Sequence, residues 1–258
     1  MAHGALKPAG DFEHMQSDRT FLAAAILAVG LAAAGWFVGH GFIRGRAADR
    51  YVTVKGVAER DVKADIALWP LRFTATDDDL GRAQQRITSN ATAVYDFLAR
   101  HGIAKEQAEL RELEVIDLLA NQYGERSSTS RYIITQTIMV RSGQPEVVFG
   151  ATQKVGELVN AGVVLSSRGG EYGNNGPTFL FTRLNDLKPQ MIAEATANAR
   201  VAAEQFAKDS SSTLGRIRNA NQGVFVVLPR DEAPGIQEEQ QLDKKLRVVT
   251  TVEYFLED

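Results

Sequence analysis

The chain contains 258 residues, enough for one large domain or two small ones, and it has no cysteine. Its 29 basic and 32 acidic side chains nearly balance, which argues against a nucleic-acid-binding protein, because phosphate contacts need clustered lysine and arginine. The absence of cysteine excludes disulfides, thiol nucleophiles and cysteine-ligated zinc sites.

The N-terminal region predicts a membrane anchor. Residues 1–19 mix small, polar and charged side chains without periodicity, as a disordered tail does. Residues 20–43 carry no formal charge when His40 is neutral, and as a helix they can cross ~30 Å of hydrocarbon. We favour an uncleaved anchor over a cleaved signal peptide, because a signal core usually has only ~7–15 residues and no clean A-x-A site follows. Residues 44–50 are then a short linker to a folded domain at 51–258.

Aromatic and basic residues bear on how this segment sits in a bilayer. The aromatic residues assigned to the anchor are Phe21, Trp36, Phe37 and Phe42, of which the last three suit a membrane-interface belt. The basic residues are Lys7 and Arg19 before the segment and Arg44, Arg46, Arg50 and Lys55 after it. Positive-inside counting places the domain in the cytoplasm. Export signals and the folding domain can override so small a bias, so the residues alone leave the orientation open.

The next segment, "YVTVKGVAERDVKADIALWPLRF", predicts two strands. Gly56 interrupts the first, as at a bulge or a close backbone approach. In the second, Trp69, Leu71 and Phe73 share one face at period two. Pro70 cannot donate to a strand ladder, so we expect this strand to lie at a sheet edge or to be bulged there. Trp69, Pro70 and Leu71 are therefore the candidate edge-strand and oligomer contact.

Asp77, Asp78 and Asp79 admit two interpretations. They could ligate a metal, but an N-cap with acidic residues in the first helical turn fits better, because a strong apolar stripe at helical spacing follows. His101 followed by Gly102 ends that helix and is ordinary capping chemistry. The stripe consists of Ala83, Ile87, Ala91, Val94 and Leu98.

The rest of the chain predicts more strands and two further helices. Glu112 and Glu114 lie on one face of a strand, where paired carboxylates can do acid–base work, but a solvated strand face is the favoured interpretation. A clear strand follows in "RYIITQTIMVRS". Residues 145–162 predict a second helix, and "SSRGGEYGNNGP" a loop that lacks the spacing of a phosphate cradle. The third helix, "KPQMIAEATANARVAAEQFAKDSSS", has a narrow, small-residue stripe that permits close packing. Its members are Ile192, Ala195, Ala199, Ala202 or Ala203, and Phe206.

Together these elements predict an α+β fold. About three helices cover an antiparallel or mixed sheet, and the order strand, helix, strand, strand occurs twice, as in a structural pseudo-repeat. The first occurrence spans residues 63–141 and the second residues 177–257. The last strands are "GRIRNANQGVFVVLP" and "LRVVTTVEYFLED", with a polar excursion between them.

Residues 51–258 resemble the SIMPL-domain family of bacterial envelope proteins. The resemblance is carried by Gly56 and Asp65 in the opening strands, by "RYIITQTIMV", and by "ATANARVAAEQFAKDSSSTLGRI". In the last segment the matching residues are Ala195, Ala199, Arg200, Ala203, Glu204, Leu214 and Gly215. Ala202 stands where a lysine is common, and Ala64 where a proline is usual. The resemblance implies an α+β domain that self-associates, in some members into large rings, and that is periplasmic or membrane-anchored and linked with envelope and oxidative stress.

No catalytic constellation is visible. The four histidines lie in the tail, in the anchor and at a helix end, and no H-E-x-x-H, G-x-S-x-G or kinase pattern occurs. We therefore expect a non-enzymatic inner-membrane protein with no catalytic, cofactor or metal site. The resemblance implies that its domain lies in the periplasm, against the charge count, and that it self-assembles into a homo-oligomer, a scaffold or channel-like ring. The expected partners are other copies of the chain and the bilayer around residues 20–43. The alternatives are a ligand-binding module that uses Trp69 and the "GGEYGNNGP" loop, with an unknown small molecule, or an uncharacterised hydrolase.

Overall fold

A computed structural model describes residues 24–41, 50–120, 130–166 and 176–257. The predicted tail, Phe21, Phe42 and nearly all of the predicted linker lie outside these ranges. The described residues form five helices and nine strands, in the chain order α1 (Ala24–Gly41), β1 (Tyr51–Lys63), β2 (Ile66–Asp77), α2 (Leu80–Arg100), β3 (Ala108–Asp117), β4 (Tyr132–Ser142), α3 (Pro145–Thr152), α4 (Gly156–Asn160), β5 (Val164–Leu165), β6 (Thr178–Leu180), α5 (Leu184–Asp209), β7 (Thr213–Gln222), β8 (Val226–Pro229) and β9 (Asp243–Glu257).

The helix α1 is long and apolar enough to cross a membrane, a property that it shares with signal sequences. Its 18 residues have a mean hydropathy of 1.6, and the side chains of Trp36 and Phe37 are exposed. These two residues thus lie where the sequence predicts them, at the C-terminal end of an apolar helix.

The chain divides into two compact units. The first takes in the described residues up to Thr53, Ala203–Asn219 and the residues from Glu253 onward, and the second comprises Val54–Ala202 and Ala220–Val252. The strands β1, β7 and β9 and the helix α5 run from one unit into the other.

The first sheet has the strand order β3-β4-β2-β5, with β6 also paired to β2, and its pairings are antiparallel. The helix α2 packs on β2 and β4 with the predicted stripe, whose five members are all buried, together with Phe97. The rings of Phe97 and Trp69 meet edge to face, with centroids 6.4 Å apart. Alternation on the strands and helical periodicity on α2 therefore build one core, as predicted.

The second sheet has the order β1-β9-β7, with β8 also paired to β9. The helix α5 turns a row of small residues inward at four-residue spacing: Met191, Ala195, Ala199, Ala203 and Ala207 are all buried. A Cβ on Gly56 of β1 would stand only 1.8 Å from the Ala195 carbonyl oxygen and 2.5 Å from the Ala199 nitrogen. The predicted close backbone approach at Gly56 is therefore confirmed, and the small-residue stripe of α5 supplies its other side.

The predicted pseudo-repeat is present as an order of elements. The series β2, α2, β3 and β4 recurs as β6, α5, β7 and β9, with β8 added. In the second sheet, however, the strand next to β9 is β1, whereas β6 pairs with β2 of the first sheet. The first series keeps its first strand, because β2 pairs with β4. In the second series β1 takes the place beside β9 and β6 joins the first sheet, a non-local arrangement that periodicity does not report.

The predicted helix 145–162 is two helices, α3 and α4. The Thr152 hydroxyl donates to the Phe149 carbonyl at 2.7 Å, which competes with continued helical bonding, and Gly156 has a low helix propensity. Both halves still turn an apolar side to the core, through Val148 and Ala151 in α3 and Leu158 in α4.

Replacing Gly56 with alanine tests the close packing of α5 on β1. The new methyl group meets backbone atoms that cannot rotate away, so we expect Gly56→Ala to lower the free energy of unfolding by about 3 kcal/mol. Denaturant unfolding of the full chain in detergent measures it. Gly143→Ala is the matched control, because nothing lies within 4 Å of its Cβ position. Equal stability of the two variants would contradict the packing described.

Candidate functional site: the open edge of the first sheet

The segment predicted as an edge and oligomer contact lies inside the first sheet. Trp69 and Leu71 are buried in the core and pair with Val140 and Ile138 of β4. On the other side of β2, β5 pairs at residues 73–74 and β6 at residues 66–68. The prediction of an edge strand is therefore wrong for β2, because two short strands cover most of its other side.

Pro70 falls between these two short strands. The carbonyl of Arg72 accepts from the Ser166 N–H at 2.9 Å, so the backbone groups of residues two apart, including the Pro70 nitrogen, face the β5 side. There the described residues offer Pro70 no strand partner, which explains why a proline is tolerated. A contact with another molecule through Trp69, Pro70 and Leu71 stays a prediction, and the buried side chains restrict it to Pro70 and the main chain.

A cleft of about 320 Å³ opens beside Pro70. Its walls are mostly apolar and come from Trp69 to Arg72, Thr152, Val155, Leu165, Ser166, Gly176 and Pro177. Most of the "GGEYGNNGP" loop, predicted as part of a ligand groove, lies outside the described residues. Trp69 contributes to the core rather than presenting its ring to a ligand.

The three consecutive aspartates organise the start of α2. Asp79 is the N-cap, and its Oδ1 accepts from the Arg82 N–H at 2.9 Å, which confirms the predicted N-cap. The predicted acidic residues in the first turn are wrong, because Asp77 and Asp78 precede the helix. Asp78 accepts from the Arg131 N–H at 3.1 Å. The carboxylate of Asp77 lies 2.9 Å from the Arg82 guanidinium and 3.3 Å from that of Arg86. Within the described ranges, no three His, Asp or Glu side chains cluster as metal ligands would.

The pKa of Asp77 is lowered from its ordinary value. The main cause is the bond from the Asp79 N–H to the Asp77 carboxylate, at 3.0 Å, and burial opposes it. The hydrogen bond and charge of Arg82, with the charge of Arg86, lower the pKa further. Asp77 is thus held ionised at the junction of β2 and α2, in a structural role.

The other acidic and histidine candidates are also engaged in structure. Glu114 lies 2.7 Å from the Arg72 guanidinium and Glu112 3.9 Å from it, so both flank one cation on the solvent face of the sheet. His101 is the C-cap of α2, as predicted, and its Nε2 lies 3.2 Å from the Glu157 carboxylate.

An extended exposed apolar feature of the first sheet is its edge strand, β3. The side chains of Leu110, Leu113 and Val115 are 52%, 53% and 48% exposed. They pair with Ile138, Gln136 and Ile134 of β4, so they extend the core-facing side of the sheet. Because α2 packs chiefly on β2 and β4, it leaves this side of β3 uncovered.

The backbone of β3 is irregular at Glu112. The register shifts between Arg111 and Leu113, as at a β-bulge, and Glu112 has a φ of 41°. Among the described residues, β4 is the one strand that pairs with β3. The outer edge of this ten-residue strand therefore has hydrogen-bonding groups available to another chain.

The comparison with known families fits this architecture. Residues 52–254 match the SIMPL family, which is described as a protein of unknown function (DUF541). The chain belongs to the SIMPL family. No curated protein matches the chain.

The residues that carry the family resemblance hold the SIMPL domain together. The Asp65 carboxylate accepts from the N–H and the hydroxyl of Thr182, at 2.9 and 3.0 Å, just before α5 begins. A Cβ on Gly215 would stand 2.6 Å from a Glu257 carboxylate oxygen and 3.1 Å from the Phe255 carbonyl oxygen. Like Gly56, these residues are explained by packing and capping rather than by chemistry.

Sequence reasoning did not single out the edge of β3 in this SIMPL domain. It assigned Glu112 and Glu114 to a solvated face, and the structure places both beside Arg72 on that face. The apolar side of the same strand was expected to be covered. The spacing of Leu110, Leu113 and Val115 indicated that they share one face of the strand. The sequence did not show that, among the described residues, α2 leaves this face uncovered.

Replacing Asp77 with asparagine tests how much the charge of this carboxylate contributes to the stability of the folded protein. A carboxylate with a lowered pKa in the folded protein stabilises it above the unfolded pKa, and this contribution is lost as the pH falls. We expect Asp77→Asn to be less stable than the wild type near pH 7, and the difference to shrink below about pH 4. Thermal unfolding across this pH range measures it, with Asp96→Asn at an exposed position of α2 as the control. A difference that stays constant with pH would contradict this role.

Proposed function

We propose that this SIMPL protein is a non-enzymatic, single-pass inner-membrane protein whose domain lies in the periplasm and self-associates into a homo-oligomeric scaffold or channel-like ring. The observation that carries the proposal is the edge of β3, where three apolar side chains stand about half exposed beside a strand edge that no further strand of the described residues covers. The charge-free, apolar helix α1 supports the anchor, and the envelope character that the family resemblance implies supports the location and a link with envelope stress.

The physical argument starts from the behaviour of open strand edges. A long edge with apolar side chains is a template for pairing, and natural proteins usually cover it or blunt it with charge. Burying the exposed half of Leu110, Leu113 and Val115 stabilises a contact between two molecules by roughly 1 kcal/mol for each side chain. Each main-chain hydrogen bond across the contact stabilises it further, by about 0.5–1.5 kcal/mol. Such an interface is weak between free monomers.

The anchor turns this weak interface into an effective one. Molecules tethered in one membrane meet at a high effective concentration, so that each further contact is nearly intramolecular. A modest edge-to-edge affinity is then sufficient for assembly in the membrane or in a detergent micelle that holds several copies, although it is insufficient between dilute soluble domains.

The polar groups support a structural role over an enzymatic one. The aspartates at the start of α2 form a cap and ion pairs, the two glutamates of β3 flank Arg72, and His101 caps a helix. A nucleophile, base and oxyanion donor in mutual reach, which a hydrolase needs, is not formed by these groups.

Replacing Leu113 with lysine tests the role of the β3 edge. We expect the full-length wild type in detergent to be oligomeric, and Leu113→Lys to shift it to smaller species, because a charge would be buried in the contact. Light scattering coupled to size-exclusion chromatography measures the mass. Val159→Lys is the matched control, since Val159 is equally apolar and 59% exposed on α4. A wild type that is monomeric at every concentration, in detergent and in lipid, would contradict the proposal.

A further inference from the structure

We propose that the β3 edge of one molecule pairs with the β7 edge of a second copy, so that two unlike edges meet at each contact. This inference rests on the self-association proposed above and specifies its geometry. It follows from the charges, lengths and apolar side chains of the open edges.

The first step is the charge of the two edges. The strand β3 carries Glu109, Glu112, Glu114 and Asp117 against Arg111, a net charge of −3. Two cations from outside the strand reduce this net charge to −1, because Arg72 lies beside Glu114 and Arg131 pairs with Asp117; Arg111, already counted, lies 2.9 Å from Glu109. The side chains of Glu109 and Glu112 are nevertheless 67% and 70% exposed. The edge therefore presents negative charge to solvent.

The strand β7 has the opposite character. Its charged residues are Arg216 and Arg218, a net charge of +2. The Arg216 guanidinium lies over the Phe255 ring, and that of Arg218 over the Tyr51 ring, 4.0 Å from its centroid and 3.9 Å from Glu253. Both guanidiniums are thus held on one face of the second sheet, next to aromatic rings. Arginine and tyrosine in this arrangement are typical of protein interfaces.

The second step compares two other partners for the β3 edge, a second β3 strand and β1. Two β3 strands would bring like charges together, which is destabilising across a strand pair. The strand β1 mixes Lys55, Arg60 and Lys63 with Glu59 and Asp61. Within the same molecule, Arg60 bonds Gln190 and Glu194, and Lys63 lies 3.5 Å from Glu146. Of the three edges compared, β7 has the positive charge that best complements the negative charge of β3.

The third step is the fit of length and apolar surface. Both strands have ten residues, so each extends about 33 Å and the two can pair along their whole length. Beside Leu110, Leu113 and Val115 on β3, the β7 side offers Ile217, about half exposed, and the exposed Val224 and Val226 just beyond it. The apolar and the charged sides of the two edges thus have counterparts.

The consequence is a head-to-tail assembly. A contact between unlike surfaces leaves one free edge of each kind at the ends, so it closes into a ring or grows without limit. Because every copy carries its own α1, anchoring all copies in one membrane favours the closed ring over a helical filament. This conclusion about symmetry follows from the two edges, whatever the strand direction or register of the contact.

Charge reversal with rescue tests the pairing. In the full chain in detergent, we expect Glu112→Lys and Arg216→Glu each to raise the dissociation constant of the oligomer about tenfold. Mixing the two variants restores assembly, because the reversed β3 of one meets the reversed β7 of the other, and so does the double variant in one chain. Glu232→Lys, an equal charge change at an exposed position, leaves assembly unchanged. Light scattering gives the mass, and circular dichroism checks that each variant is folded.

The outcomes separate this inference from the proposed function. A monomeric wild type overturns the self-association itself. An oligomeric wild type that neither reversal weakens, or a mixture that fails to reassemble, overturns the pairing of β3 with β7 and leaves self-association standing. Assembly that is broken by Lys55→Glu on β1 but not by Arg216→Glu overturns it as well, because β1 is then the edge that meets β3.

Discussion

The contact that the second sheet depends on is the close approach of α5 to β1 at Gly56. With 1.8 Å between a Gly56 Cβ position and the Ala195 carbonyl oxygen, no other residue fits without moving a backbone. The alanines of α5 at 195 and 199 keep the helix surface flat, and the Asn198 amide donates to the Val57 carbonyl at 2.8 Å beside them. Small side chains thus let two backbones pack directly, where larger ones would hold them apart.

This packing places the first strand of the domain next to the last. With α5 on its inner face, β1 pairs with β9, and β6 is left to pair with β2. Each sheet has three long strands with the C-terminal strand of its series in the middle: β4 between β3 and β2, and β9 between β7 and β1. The strands that follow the two helices, β3 and β7, therefore both lie at edges. The edges on which the proposed assembly depends are therefore a consequence of the central positions of β4 and β9.

Local patterns in the sequence were enough to predict part of this fold. The stripe of α2 and the cap at Asp79 are each set by residues of one segment and could be predicted. At Gly56 the sequence offered a bulge or a close backbone approach, and its partner in α5 became visible only in the structure. Non-local features could not be predicted: Pro70 indicated an edge, but β5 and β6 cover that side of β2, and the half-exposed Leu113 depends on where α2 ends its coverage. Phe206 was predicted in the inner stripe of α5 and is exposed, because the buried row runs through Ala203 and Ala207. Nor does the sequence show that Lys244 is fully buried, with its ammonium donating to the Glu238 carbonyl and carboxylate.

Amide hydrogen exchange of the full-length protein in detergent, followed over a dilution series, tests the central claim most directly, since it reads the strand edges themselves. The account predicts that peptides covering β3 and β7 become protected together as the protein concentration rises and the mass by light scattering increases. Peptides covering α2, which is already packed on β2 and β4, should exchange at an unchanged rate. If light scattering shows assembly while the amides of both β3 and β7 exchange fast at every protein concentration, the proposed pairing of these strands is contradicted.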